Sequence, residues 1–132
     1  MTAEEVRILP TQWAGMWTGA SWGTTTKHHP RFLSHGDQEP EWHAVSLDLT
    51  LTIVRQEGRS LQAVLATSQH EDRAVGVLSA DGNRLELATE TSNFHLAVAG
   101  DQLSGEATGR PLGSDKAGGA FSVGMVELNA IS

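Results

Sequence analysis

From position 13 to 131 the chain repeats one pattern, short stretches in which apolar and polar residues alternate, mostly parted by brief turns. The longest stretch runs Val45-Ser46-Leu47-Asp48-Leu49-Thr50-Leu51-Thr52-Ile53. A period of two is what a strand shows when one face is buried and the other is wet. The pattern returns in Leu85-Glu86-Leu87, in Phe94-His95-Leu96-Ala97-Val98 and in Leu103-Ser104-Gly105-Glu106-Ala107. No helical period extends beyond the first few residues, where Thr2 and Glu5 offer one capped turn or a loose arm before Pro10.

Reading the turns predicts about eight strands, over 13–22, 43–56, 61–68, 74–79, 84–89, 94–99, 103–108 and 120–131. Gly58 and Gly100 mark reversals, and Asp81-Gly82 is a pair favoured in type I′ hairpins. Such a meander either leaves two raw edges or closes, and in a chain this short closure is the economical answer. The expected fold is all-β, an eight-stranded antiparallel up-and-down β-barrel. Residues 1–12 are expected to form an N-terminal arm and 13–132 a single barrel domain. The irregular segment 24–42, with Pro30, Gly36 and Pro40, is expected to be a lid-like loop.

The alternation also assigns faces. The inward set is Val45, Leu47, Leu49, Leu51 and Ile53, then Leu61, Ala63, Leu65, Val75 and Val77, then Leu85, Leu87, Phe94, Leu96, Val98 and Leu103. An aliphatic interior of that kind either packs solid or holds one small apolar or amphipathic molecule. Small inward residues such as Ala63, Gly105 and Ala107 favour a cavity. Val64, Ala66, Leu78, Ala97 and Ala99 fall on the outer phase. In the final strand Phe121, Val123 and Met125 alternate with Gly124, Val126 and Leu128, so both faces are apolar and both are expected to be covered. Contact with a second subunit through this strand, as in a homodimer, is one explanation; a register slip or bulge is the other.

Composition narrows the classes. At 132 residues the chain has room for a real core, and with no cysteine it has neither disulfide nor thiolate chemistry. No apolar run reaches the length of a membrane span and the start has no signal-like core, so a cytoplasmic protein without membrane contact is expected. The net charge of −7 and nine scattered Lys and Arg argue against nucleic-acid binding.

Trp13-Ala14-Gly15-Met16-Trp17-Thr18-Gly19 opens the meander, and Gly15-Met16-Trp17 resembles the Gly-x-Trp signature that begins the first strand of lipocalins. The opening followed by successive hairpins is also similar to avidins and other calycin-type barrels. The resemblance implies that Trp13 and Trp17 plug one end while the opposite end admits the ligand. Two departures from lipocalins are expected: the last strand has no Arg to pack on that Trp, and no C-terminal helix is expected after it. Without any Tyr, the biotin-binding pattern of avidins has no counterpart. Small barrel cyclases resemble the chain in architecture alone.

Candidate chemistry centres on the loop. His28, His29, His35 and His43 crowd it beside Asp37, Glu39 and Glu41, ligand types that zinc, nickel or copper accept. Their spacing fits no standard zinc pattern, so no metal site is expected. His43, where the loop re-enters the sheet, is a candidate acid or base or a rim hydrogen-bonding group. Glu127 is a candidate acid if buried, and an ordinary solvated carboxylate otherwise. Trp22 and Trp42 bracket the loop as an aromatic gate or as edge packing. With Leu47, Leu49, Leu51, Leu65, Leu87, Phe94 and Leu96 they make the expected ligand-binding set.

The function expected from these residues is binding of a small apolar or amphipathic molecule in the lumen, gated by 24–42. The alternatives are a cofactor-free cyclase or isomerase, and a structural or protein-interaction barrel with a filled lumen. No redox or group-transfer cofactor is expected, since P-loop and dinucleotide fingerprints are missing.

Overall fold

The computed structural model describes residues 6–23, 41–68, 70–109 and 121–131. They form eight strands in chain order: β1 (Gln12–Gly23), β2 (Glu41–Glu57), β3 (Ser60–Ala66), β4 (Glu71–Leu78), β5 (Arg84–Ala88), β6 (Ser92–Ala99), β7 (Gln102–Gly109) and β8 (Phe121–Ala130). Each strand pairs antiparallel with the next, and β8 pairs with β1 to close the barrel. Closure leaves no edge with unpaired backbone groups, as the meander of short strands required.

The strands are strongly tilted. A walk along paired residues on the inner face runs Gln56, Leu61, Gly76, Leu87, Phe94, Ala107, Gly124, Gly19 and returns to β2 at Val45 rather than Gln56. That stagger accompanies closure of a sheet into a barrel. Glycines absorb the curvature: a Cβ on Gly15 or Gly105 would run into the backbone carbonyl of Glu127 or His95 on the neighbouring strand.

One end, here the lower, carries three hairpins, two of them tight. Gly58 and Gly100 each take a φ of 61° at the first central position of a two-residue turn, as a type II′ hairpin requires. The expected type I′ turn at Asp81-Gly82 is not formed, because only Gly82 has positive φ. Instead Asp81 accepts hydrogen bonds from Ser79 Oγ (2.6 Å) and the Asn83 amide (2.9 Å), which holds a wider loop between β4 and β5.

Residues 6–11 seal the lower end. Gln56 binds them through its side chain, accepting from the Leu9 amide (3.1 Å) and donating to the Arg7 carbonyl (2.7 Å). Arg7 reaches across to the Gly100 carbonyl at 2.6 Å. Leu9 and Trp13 are buried beneath the bore, with the Trp13 Nε1–H donating to the Pro10 carbonyl at 2.7 Å. Gln56 faces in because of a bulge between Ile53 and Arg55, which turns Val54 and Arg55 outward and resets the strand's phase.

The inner faces follow the alternation read from sequence, with one strand reversed. In β4 the inward residues are Ala74, Gly76 and Leu78, while Val75 and Val77 are exposed. The reason is steric: a Cβ on Gly76 would crowd the Leu87 side chain and the Glu86 carbonyl, so only the smaller phase fits inside. β2 begins at Glu41, which makes Trp42 part of a strand rather than of the predicted loop. The rest of that loop, 24–40, lies outside the described residues.

Candidate functional site at the upper mouth

The bore changes character along its length. In its lower and middle parts Trp13, Leu49, Leu51, Leu65, Leu85, Leu96, Leu103 and Leu128 are almost wholly buried against one another. Each such leucine contributes roughly 1.5–3 kcal/mol through burial. Towards the upper end Val45 and Leu47 are only partly buried and pack on the edge of this core.

Above them lies a polar row. Paired positions run Ser92, Gly109, Ser122, Ser21, His43 across β6, β7, β8, β1 and β2, all on the inner phase. Neighbours directly opposed on adjacent strands stand about 4.5–5.5 Å apart, so Ser122, Ser21 and His43 stand side by side, while Ser92 lies two strands beyond Ser122 on a row that winds with the tilt. Ser21 and Ser92 are buried, and Ser122 and His43 are half-buried. Ser122 Oγ donates to the Gly109 carbonyl at 3.1 Å, while the Ser92 amide is held by Thr89 Oγ1 at 3.0 Å. On β4, half-buried Asp72 occupies the inner phase opposite Leu65.

The floor beneath this row is aromatic. Trp17 points inward from β1, and a Cβ on Gly124 would fall 2.6–2.7 Å from its ring atoms Cζ2 and Nε1. The indole therefore lies flat over Gly124, with Gly19 beside it, and fills space those glycines leave. A molecule entering from above would meet hydroxyls and imidazole at the rim, then the Trp17 ring with Val45 and Leu47.

Of the residues singled out from sequence, the structure brings His43 and Leu47 to this mouth. Leu49, Leu51, Leu65, Leu87, Phe94 and Leu96 lie deeper, buried in the packed core. Trp22 and Trp42 do not gate the bore: they oppose one another on the outer face, and both are exposed. Glu127 is exposed on the outer face of β8, away from the bore. His28, His29, His35, Asp37 and Glu39 lie outside the described residues. Among the described residues no group of three or more His, Asp or Glu converges as a metal site would require.

Sequence reading missed Ser21, Ser92 and Ser122. Each stands at the upper end of its strand in the same phase as buried apolar residues: Trp13 and Trp17, then Phe94 and Leu96, then Val126 and Leu128. A serine in the apolar phase at a strand end is a signal, though only the register of several strands shows that these coincide.

No protein-family model matches the chain, and neither a curated protein nor a solved structure matches it. The closed eight-stranded antiparallel barrel is compatible with a calycin-like fold in architecture. Among the described residues no helix is long and apolar enough to cross a membrane.

Proposed function

We propose that the protein binds a small amphipathic molecule at the upper mouth, polar group on the Ser21–His43–Ser122 band and apolar part against Trp17, Val45 and Leu47. The observation that carries this reading is the gradient along one strand. On β2 the inner residues pass from fully buried Leu51 and Leu49 to half-open Leu47, Val45 and His43. Apolar side chains left part-open beneath a polar rim match the usual make-up of a small-molecule site, mostly apolar with a few placed polar groups. Because the bore below is filled, the guest is small or only partly inserted. The calycin resemblance, with its plugged end and open end, belongs to the same proposal.

Two measurements test it. Native mass spectrometry of freshly purified protein is expected to reveal a bound small molecule. In addition, 1-anilinonaphthalene-8-sulfonate, an amphipathic anion, is expected to bind the wild type and Met125→Glu alike but not Val45→Trp, which fills the mouth. Binding lost in Met125→Glu and retained in Val45→Trp would place the probe on the outer wall and sink the proposal.

A further inference from the structure

The outer wall of β8, β1 and β2 carries an apolar face that the mouth does not explain. Its top row is aromatic, Trp42 opposite Trp22 opposite Phe121, with Trp42 62% and Phe121 61% exposed. Next come Ala44, Ala20 and Val123, then Ser46, Thr18 and Met125, the last 60% exposed. Charge first appears one row lower, where Asp48 and Glu127 flank Met16. Elsewhere the outer wall carries charge on successive strands, with Glu71 and Arg73 on β4, Glu86 on β5, His95 on β6 and Glu106 on β7, beside the exposed Val75 and Val77 of β4. Among the described residues the exposed aromatics are thus confined to these three strands.

We infer that this face pairs with the same face of a second copy of the chain about a two-fold axis. Three features select that occupant. Scaling the exposures by ordinary side-chain areas gives roughly 650–700 Å² of apolar surface per copy, close to the roughly 800 Å² that a standard interface buries on each side. The patch is also self-complementary. An axis across the strands between the Ala20 and Thr18 rows sets Trp22 of one copy on Met16 of the other, thioether to ring, and lays Trp42 and Phe121 over the row that holds Asp48 and Glu127. The same rotation sends the two acidic rims to opposite ends of the contact, so no carboxylates are pressed together. A basic partner would meet only the two rim carboxylates and leave the uncharged aromatic row unused. An anionic bilayer would be repelled by a chain of net charge −7.

The salt response follows from the charge. Each copy carries −7, so their repulsion weakens as salt rises, and the apolar contact does not suffer. Sedimentation equilibrium of the full chain is expected to show a dimer whose Kd falls between about 0.05 M and 0.5 M NaCl. Met125→Glu and Trp42→Glu are each expected to raise Kd by about thirtyfold or more, with far-UV circular dichroism unchanged and a thermal midpoint that matches wild type at dilutions where both are monomeric. Val75→Glu, on β4 across the barrel, is expected to leave Kd as it was. A monomer throughout would overturn the inference, whether it then binds uncharged phosphatidylcholine vesicles, binds a basic partner, or binds neither. A dimer that survives both variants, or that Val75→Glu weakens equally, would overturn it as well. These outcomes are independent of probe binding at the mouth.

Discussion

At Gly105 an added Cβ would run into the His95 carbonyl on β6, whereas at Gly124 it would meet the ring of Trp17. The two glycines therefore resist substitution for different reasons. A side-chain ring can be pushed aside; a backbone carbonyl held in the ladder cannot. Gly124→Ala is expected to destabilise by about 1–3 kcal/mol, the ordinary range for overpacking, and Gly105→Ala by more. Urea denaturation of the two variants checks the ranking, and equal midpoints would discard it. Space of the same kind explains what the sequence concealed in β4. In Ala74-Val75-Gly76-Val77-Leu78 both phases are apolar, and hydrophobicity alone chooses the valines. The choice was made by Leu87, whose side chain lies where a Cβ on Gly76 would go, and no residue near β4 in the chain announces that.

Strands and turns were more legible than faces, because their signals are local. Gly58, Gly100 and Asp81-Gly82 sit at real reversals, and every predicted strand is present with its ends moved by a few residues. The loop at Asp81 differs in type, and its chemistry makes a pH prediction. Hydrogen bonds from Ser79 and from the Asn83 amide hold the Asp81 carboxyl below its ordinary 3.8. A carboxyl depressed in the folded state stabilises the fold above that value and loses the contribution as pH falls through its folded pKa. The stability gap between wild type and Asp81→Ala is therefore expected to narrow as pH drops from about 5 towards 2, measured by urea titration at each pH. A gap independent of pH would remove the carboxylate from the account. On β5, burial opposes ionisation of Glu86, but hydrogen bonds from His95 and Arg84 outweigh it and hold the carboxyl below its usual 4.5. Its contribution fades over the same acid range.

The bulge in β2 is an element-level event that alternation could not show. By bringing Gln56 inward it ties residues 7 and 9 across the lower end. Gln56→Ala leaves the Leu9 amide and Arg7 carbonyl without that partner, at about 1–3 kcal/mol for buried groups so stranded. Hydrogen exchange is expected to accelerate at the Leu9 amide while amides in β6 and β7 stay protected. Unchanged exchange at Leu9 would mean the arm is held by packing alone.

Over the whole molecule, closure was inferable from the cost of raw edges, yet the distinction between a filled and an open bore was not. Apolar residues at most inner positions suit either outcome. What separates them is the register that sets Ser21 and Ser122 beside His43 on adjacent strands, a relation spanning residues 21–122 that no local pattern carries. His43 was legible because it stands beside the loop; the serines were not, since a strand serine is ordinary. The gradient from packed core to open mouth makes the last prediction. Leu47, Leu49 and Leu51 share one strand and one face, so truncating each to alanine samples three depths. Leu49→Ala and Leu51→Ala each leave a hole in a fully packed region and are expected to cost about 2–5 kcal/mol. Leu47→Ala, where the wall is already part-open, is expected to cost clearly less. The binding readout should order the other way: Leu47→Ala weakens the amphipathic probe, while Leu49→Ala leaves it intact or gives it a deeper seat. If all three variants lose equal stability, the bore is packed to its rim and no guest enters. If Leu51→Ala proves the mildest, the opening lies at the lower end and the arm is the lid.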